Sequence, residues 1–158
     1  MDAQTAIRNV LATGEMIGMA YLGDLTDAEL MQRPHPKCNH INWQVGHLIV
    51  SENQLVGMAW PMPALPEGFA EKYKKEGAAS DDPSHFATKE ELMSVYKTQR
   101  AATLEALAKA TAEELDRPTG VDYAPTSGQL ISLNGEHWLM HAGQWVIVRR
   151  QNDKPVLI

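Results

Sequence analysis

The sequence reads Gly135-Glu136-His137-Trp138-Leu139-Met140-His141-Ala142-Gly143-Gln144 near its end, and this stretch decides the predicted fold. Its apolar residues recur with the period of an α-helix, and its two histidines stand four positions apart. On a helix that spacing puts both imidazoles on one face, about 6 Å apart along the axis. Because one small cation can take a nitrogen from each, the stretch predicts a helix with two metal ligands on one face.

The inward face of this helix is predicted to be mostly apolar. A neutral imidazole that is buried without a partner costs free energy, so the two histidines need either a metal ion or hydrogen-bonding neighbours in the core. The zinc-protease pattern His-Glu-x-x-His is excluded, because Trp138 follows His137 and Glu136 is rotated about 100° from the face. The predicted inward positions are Leu130, Leu133, His137, Met140, His141, Gln144 and Val148.

Size and charge describe an ordinary globular protein. The 158 residues predict one domain over positions 1–158, and a net charge of −6 excludes a basic surface for nucleic acid. No signal-peptide pattern and no apolar run of about 20 residues is visible, so we expect no membrane partner. The lone Cys38 excludes an internal disulfide and favours a cytoplasmic location. Its place among prolines makes it a poor candidate nucleophile.

Four long helices account for most of the chain. They are predicted at about residues 2–22, 42–60, 88–110 and 128–151, with Asn39 or Asn42 as the cap of the second, and no strand is convincing. Gly14 and Gly18 fall on the buried face of the first helix. Because glycine weakens a helix interior, we expect another backbone to approach closely there.

Two copies of one pattern make up the chain. Thr26-Asp27-Ala28-Glu29 and Thr111-Ala112-Glu113-Glu114 are both capping boxes, and each is followed by an Arg-Pro stop between two long helices. A third capping box, Thr88-Lys89-Glu90-Glu91, begins the third long helix, and the helical period predicts that Arg100 of this helix faces water. The proline-rich segment 61–87 joins the copies and is long enough to cross the molecule. The sequence therefore predicts an all-α four-helix bundle in up-down-down-up order, with a long crossover between helices two and three.

The last helix is apolar on more than one side. Trp138, Leu139, Trp145 and Val146 lie outside its predicted inward face. Either the short helices and loops cover this second face or another subunit does, and we expect a homodimer.

A third histidine, His47, lies on the predicted inward face of the second helix. Together, His47, His137 and His141 would give three neutral nitrogens and leave a position open, which is the pattern of catalytic rather than structural zinc. Nickel, iron and copper suit the same ligands. His35 and His40 are assigned to the surface or to helix caps. No catalytic residue is assigned, and the inward polar residues Gln54, Gln99, Thr103 and Gln144 are candidates for supporting the ligands or binding substrate.

These residues resemble a known family. His47 within Asn42-Trp43-Gln44-Val45-Gly46-His47-Leu48, then His137-x-x-x-His141-Ala142-Gly143-Gln144 and Arg149-Arg150, are similar to the DinB/YfiT-like superfamily. The resemblance implies an up-down-down-up bundle, often dimeric, with a divalent metal on His47, His137 and His141. We expect zinc or nickel before iron or manganese. Some members of the family resemble metal-dependent hydrolases, others transfer low-molecular-weight thiols such as bacillithiol or mycothiol, and others have no assigned activity.

Three functions compete at this point. The first is an enzyme that activates water or a low-molecular-weight thiol against a small-molecule substrate, as a hydrolase or thiol S-transferase. No inward carboxylate is visible near the three histidines, so its general base would be the activated water, a loop residue or the substrate. The second is a protein that binds a metal or small ligand without turnover. The third is a stress-response or interaction protein whose histidines only satisfy one another.

Overall fold

A computed structural model describes residues 1–156 as a bundle of four long helices, with three helices of one turn between them. Within these residues the only strand-like pairing is a single bridge between Pro118 and Thr126. The helices are α1 (Ala3–Leu22), α2 (Asp27–Leu30), α3 (Ile41–Gly57), α4 (Phe69–Lys72), α5 (Lys89–Lys109), α6 (Ala112–Leu115) and α7 (Ser127–Gln151), and two 3-10 turns (Lys75–Ala79 and Pro83–His85) precede α5. None of these helices is long and apolar enough to cross a bilayer.

Helix starts follow the sequence signals closely. Capping boxes open α2 at Thr26, α5 at Thr88 and α6 at Thr111, as predicted. The cap of α3 was predicted wrongly, because His40 rather than either asparagine fills it: its Nδ1 accepts a hydrogen bond from the Trp43 amide at 3.0 Å. The ring of His40 is fully buried, so of the two alternatives, a surface residue or a helix cap, the cap is confirmed. Burial lowers the pKa of His40 to about 4.

The two outer members of the repeat, α1 and α7, run parallel. Gly14 lies against Gly135 in the middle of both helices, and near both C-terminal ends Arg149 donates to the carbonyl of Tyr21 at 2.9 Å. Arg149 also forms an ion pair with Asp24. Because the residue numbers of the contacting pairs increase in the same direction on both helices, α1 and α7 are parallel.

The inner helices run the other way. Gln44 near the start of α3 accepts a hydrogen bond from Trp145 near the end of α7, so α3 is antiparallel to α7. Asn42 donates to the carbonyl of Ala87 just before α5, and Glu52, about three helical turns further along α3, pairs with Arg100 in the middle of α5. The helices α3 and α5 are therefore parallel. The predicted up-down-down-up order is confirmed.

The predicted crossover is a long segment packed across the start of α3. Its helical turn is α4, after which the ring of Tyr73 lies directly on Gly46, where any side chain would overlap it. The Tyr73 hydroxyl accepts a hydrogen bond from the Ala87 amide and donates to the side-chain oxygen of Asn42. The crossover therefore holds the N-terminal half of α3 in place.

The second apolar face of α7 is covered by α1 of the same chain. Trp138 and Trp145 are buried in the larger hydrophobic cluster, and Gly18 leaves space for the Trp138 ring, since a Cβ there would lie 2.5 Å from it. Leu139 and Val146 of the same face are half-buried, so the apolar surface that motivated the expected homodimer is smaller than the sequence indicates.

Three positions were assigned to the wrong side of their helices. Met140 and Gln54 are exposed, although both were predicted to face inward, and Leu133 of the same predicted face as Met140 is half-buried. Arg100, which the pattern of α5 placed in water, is buried and pairs with the fully buried Glu52 of α3 at 2.9 Å. Glu52 is therefore an inward carboxylate, but it is paired with Arg100 and does not line the groove beside the three histidines.

Candidate metal centre

The three predicted histidines converge on one point. Each offers a ring nitrogen, and these nitrogens all lie within 4.8 Å of one another. His47 projects from α3, and His137 and His141 project from adjacent turns of the antiparallel α7. We call these three residues the histidine cluster. His141 is buried, whereas His47 and His137 are half-buried, so the cluster lies at the edge of the core.

The pair on α7 has the spacing of two ligands on one ion. The Nε2 atoms of His137 and His141 are 3.2 Å apart. Two nitrogens that each lie about 2.0–2.1 Å from a tetrahedral zinc ion would be separated by about 3.3–3.4 Å. The donor set and the distance within this pair therefore fit a small divalent cation.

Burial keeps these imidazoles neutral. Burial, together with the smaller effect of the neighbouring histidines, lowers the pKa of His141 to about 3 and that of His137 to about 4. Burial also lowers the pKa of His47. Because a metal ligand must be unprotonated, protons compete only weakly for the cluster at neutral pH.

Gln44 organises the α7 side of the cluster, and the sequence analysis missed it. It is almost fully buried on α3. Its amide nitrogen donates to the Asn39 carbonyl at 2.6 Å and to the Gln144 side chain at 3.1 Å. Its amide oxygen lies 2.9 Å from both Trp145 Nε1 and His141 Nδ1. Gln44 precedes His47 by three positions on one helix, and this spacing was the signal from which its place beside the site could have been predicted.

This contact fixes the tautomer of His141. The indole of Trp145 can only donate, and the Asn39 carbonyl can only accept, so the orientation of the Gln44 amide is determined. An amide oxygen cannot donate, so the proton in the contact with His141 belongs to Nδ1. The Nε2 atom of His141, which faces His137, therefore carries the lone pair that a metal needs.

The ring of His47 is oriented by stacking. It lies parallel to the Trp43 indole, with ring centroids 4.9 Å apart and an angle of 7° between the planes. The indole nitrogen of Trp43 donates to the Lys74 carbonyl at 3.2 Å, so the crossover fixes the indole in turn. Both sides of the cluster thus have a supporting side chain.

Of the three glutamines predicted to support the ligands or bind substrate, two lie at the histidine cluster and one lies elsewhere. Gln144 supports the cluster through Gln44, and Gln54 is exposed beside it. Gln99 lies elsewhere: it bonds to Asn53 and to the Pro63 carbonyl, where the crossover leaves α3. The hydrogen bonds of Gln99 therefore hold the crossover.

Thr103 and Cys38 do not belong to the histidine cluster. Thr103 is buried among the bundle helices. Cys38 is a free, half-buried cysteine in the loop before α3, where its carbonyl accepts from Arg33.

A groove opens on the solvent side of the cluster. Its volume is about 410 Å³, within the usual range for small-molecule sites. A larger cavity of about 810 Å³ lies among the loops around Arg33 and contains none of the three histidines. The groove is lined by His47, Ser51, Gln54, Leu55, Tyr123, Leu133, His137 and Met140.

Known proteins support the fold and the family. The sequence matches the model of the DinB superfamily over residues 16–145, which is most of the chain. The structure is similar to a conserved protein of Enterococcus faecalis known from a crystal structure, with a TM-score of 0.69 and 17% sequence identity over 95% of this chain and 96% of that one. At this identity the likeness shows the fold alone. No curated protein matches the sequence. The chain belongs to the DinB superfamily.

Proposed function

We propose that residues 1–158 form one domain that binds a divalent metal ion through His47, His137 and His141, and that it is a metal-dependent enzyme. The observation that carries this proposal is the convergence of three neutral imidazoles from two helices, with two of their nitrogens 3.2 Å apart. Zinc and nickel are the first choices, because three imidazoles suit both.

A bound divalent ion would lower the pKa of a water molecule or thiol and so supply a nucleophile near neutral pH. The protein's own side chains have separate tasks. The three histidines would hold the ion, the hydrogen bond to Gln44 leaves Nε2 of His141 unprotonated, and stacking on Trp43 orients the His47 ring. The groove would hold the substrate. The proposed reaction is hydrolysis or the transfer of a low-molecular-weight thiol.

A second candidate is metal binding without turnover. It is favoured by the groove, in which the histidines are the only acid–base side chains apart from the Tyr123 phenol among the residues described. Metal-dependent turnover of an ester, amide or thiol-transfer substrate that is lost in His47→Ala would exclude this candidate.

Metal uptake by the stripped protein tests the site itself. We expect one equivalent of Zn²⁺ or Ni²⁺ to bind, measured by calorimetry and elemental analysis. At a free concentration 100 times the Kd, binding should stabilise the fold by about 2.7 kcal/mol, and a chelator should reverse this. In His137→Ala the affinity should fall by more than the roughly 100-fold that marks the upper end for loss of an outer-shell partner.

The matched control for uptake is His35→Ala, which removes an exposed histidine on the loop before α3. This variant should bind the metal as the unmodified protein does. No uptake by the unmodified protein, or equal uptake by the two variants, would refute the proposed site.

Gln44→Leu tests how the cluster is supported. The change leaves Nδ1 of His141 without its acceptor, so the unprotonated nitrogen is no longer fixed at Nε2. We expect zinc affinity to fall by about 10–100-fold. In the metal-free protein, ¹⁵N NMR of His141 should show the Nδ1–H form in the unmodified chain and a mixture of tautomers in the variant. Gln144→Leu, which removes only a partner of Gln44, should keep the single tautomer. An unchanged tautomer in Gln44→Leu would contradict this role.

A further inference from the structure

The groove beside the histidine cluster has a distinctive chemical lining. Apart from the histidines, four of its side chains are largely apolar: Leu55 of α3, Tyr123 of the loop before α7, and Leu133 and Met140 of α7. The remaining two, Ser51 and Gln54, are polar but uncharged. Among the residues described, no lysine, arginine, aspartate or glutamate lines the groove.

The apolar side chains at the mouth are open to solvent. Tyr123 is 72% exposed and Met140 is 61% exposed. Both line the same groove as the half-buried His137. A molecule bound there would remove apolar surface from water while its other end reached the histidines. This arrangement of an apolar wall with a few polar groups is typical of small-molecule sites.

The charge around the groove disfavours anions. Asp122 precedes Tyr123 and Glu136 precedes His137, and both acidic residues are exposed. The whole chain carries a net charge of −6. A carboxylate or phosphate held along the groove wall would lose hydration without gaining a cationic partner there.

We propose that the groove accepts an uncharged small molecule with an apolar body, which presents a single polar group to the histidine cluster, and that it discriminates against substrates with an anionic body. This inference rests on the proposed metal site and adds the class of substrate. If the reaction uses a thiol, the groove would hold the apolar acceptor of that thiol.

Three hydroxamates test the proposal, since they share one metal-binding group and differ in the body attached to it. With the zinc-loaded protein, benzohydroxamate should bind at least about tenfold more tightly than acetohydroxamate, because its ring buries apolar surface in the groove. The analogue 4-carboxybenzohydroxamate should bind at least about tenfold more weakly than benzohydroxamate. Calorimetry gives the three Kd values.

Matched variants on α7 locate the effect. Met140→Ser should reduce the preference for benzohydroxamate over acetohydroxamate severalfold, whereas Ile147→Ser, an exposed apolar position outside the groove, should leave it unchanged. Leu133→Lys should improve binding of the carboxylated probe relative to benzohydroxamate, because it adds the missing cation.

The outcomes separate this inference from the proposed function. If zinc binds and the three probes bind equally, or if the carboxylated probe binds best, the substrate class is wrong and the metal site stands. If Met140→Ser and Ile147→Ser behave alike, the groove wall is not the binding surface, as would follow if another protein copy covered it. If no zinc binds, both proposals fail.

Discussion

Alanine at Gly135 is expected to destabilise the protein by about 3 kcal/mol, at the upper end of the usual cost of overpacking. A Cβ at this position would lie 2.5 Å from the carbonyl oxygen of Val10 and 2.9 Å from the amide nitrogen of Leu11. Both are backbone atoms of α1, so no side chain can rotate away. The two helices would have to separate, and the buried Trp138 one turn later would lose its packing.

Gly143→Ala is the matched control on the same helix. Nothing lies within 4 Å of a Cβ there, so alanine should stabilise the protein by about 0.5–1 kcal/mol through its higher helix propensity. Urea unfolding followed by circular dichroism measures both changes. If the two variants shift stability in the same direction, the close contact between α1 and α7 is wrong.

The close approach of α1 to another backbone could be predicted from sequence, but its partner could not. Gly14 and Gly18 predicted that another backbone approaches α1 closely, because glycine on a buried helical face lowers helix stability and is otherwise unexplained. Gly14 meets Gly135, and Gly18 meets Trp138. Nothing in the local pattern links positions more than 100 residues apart, and only the bundle order brings them together.

The inward face of α7 was predicted only in part. This helix is packed between α1 on one side and α3 on the other, so its buried arc is wider than the single apolar stripe that was assumed. Trp138 and Trp145 therefore belong to the core, and Met140 belongs to the groove. His137 and His141 were placed correctly because their spacing fixes a shared face whichever way the helix is turned.

The burial of Arg100 could not be predicted from the helical period of α5. The helical pattern assigns an arginine to water by default, since arginine is rarely buried without a partner. The partner of Arg100 is Glu52, on a different helix, and no spacing along either helix reveals the pair.

Arg100→Met is expected to destabilise the protein by about 3–5 kcal/mol, the range observed when one partner of a buried ion pair is removed. Glu52 is fully buried, and its hydrogen bond from Arg100 has a length of 2.9 Å. Its other carboxylate oxygen has no hydrogen-bond partner among the described residues, so the variant would leave a buried acid with nothing to offset its lost hydration. The midpoint of urea unfolding measures the loss.

Two further variants identify the cause of this loss. Lys109→Met on the same helix removes the cation of an exposed pair with Glu105, and its effect should stay within experimental error, because water screens such pairs. The double variant Arg100→Met/Glu52→Leu should recover most of the stability that Arg100→Met loses, since it removes the uncompensated charge and fills the space with apolar atoms. A double variant no more stable than Arg100→Met would show that packing of the guanidinium over the Tyr96 ring, and not the charge of Glu52, sets the cost.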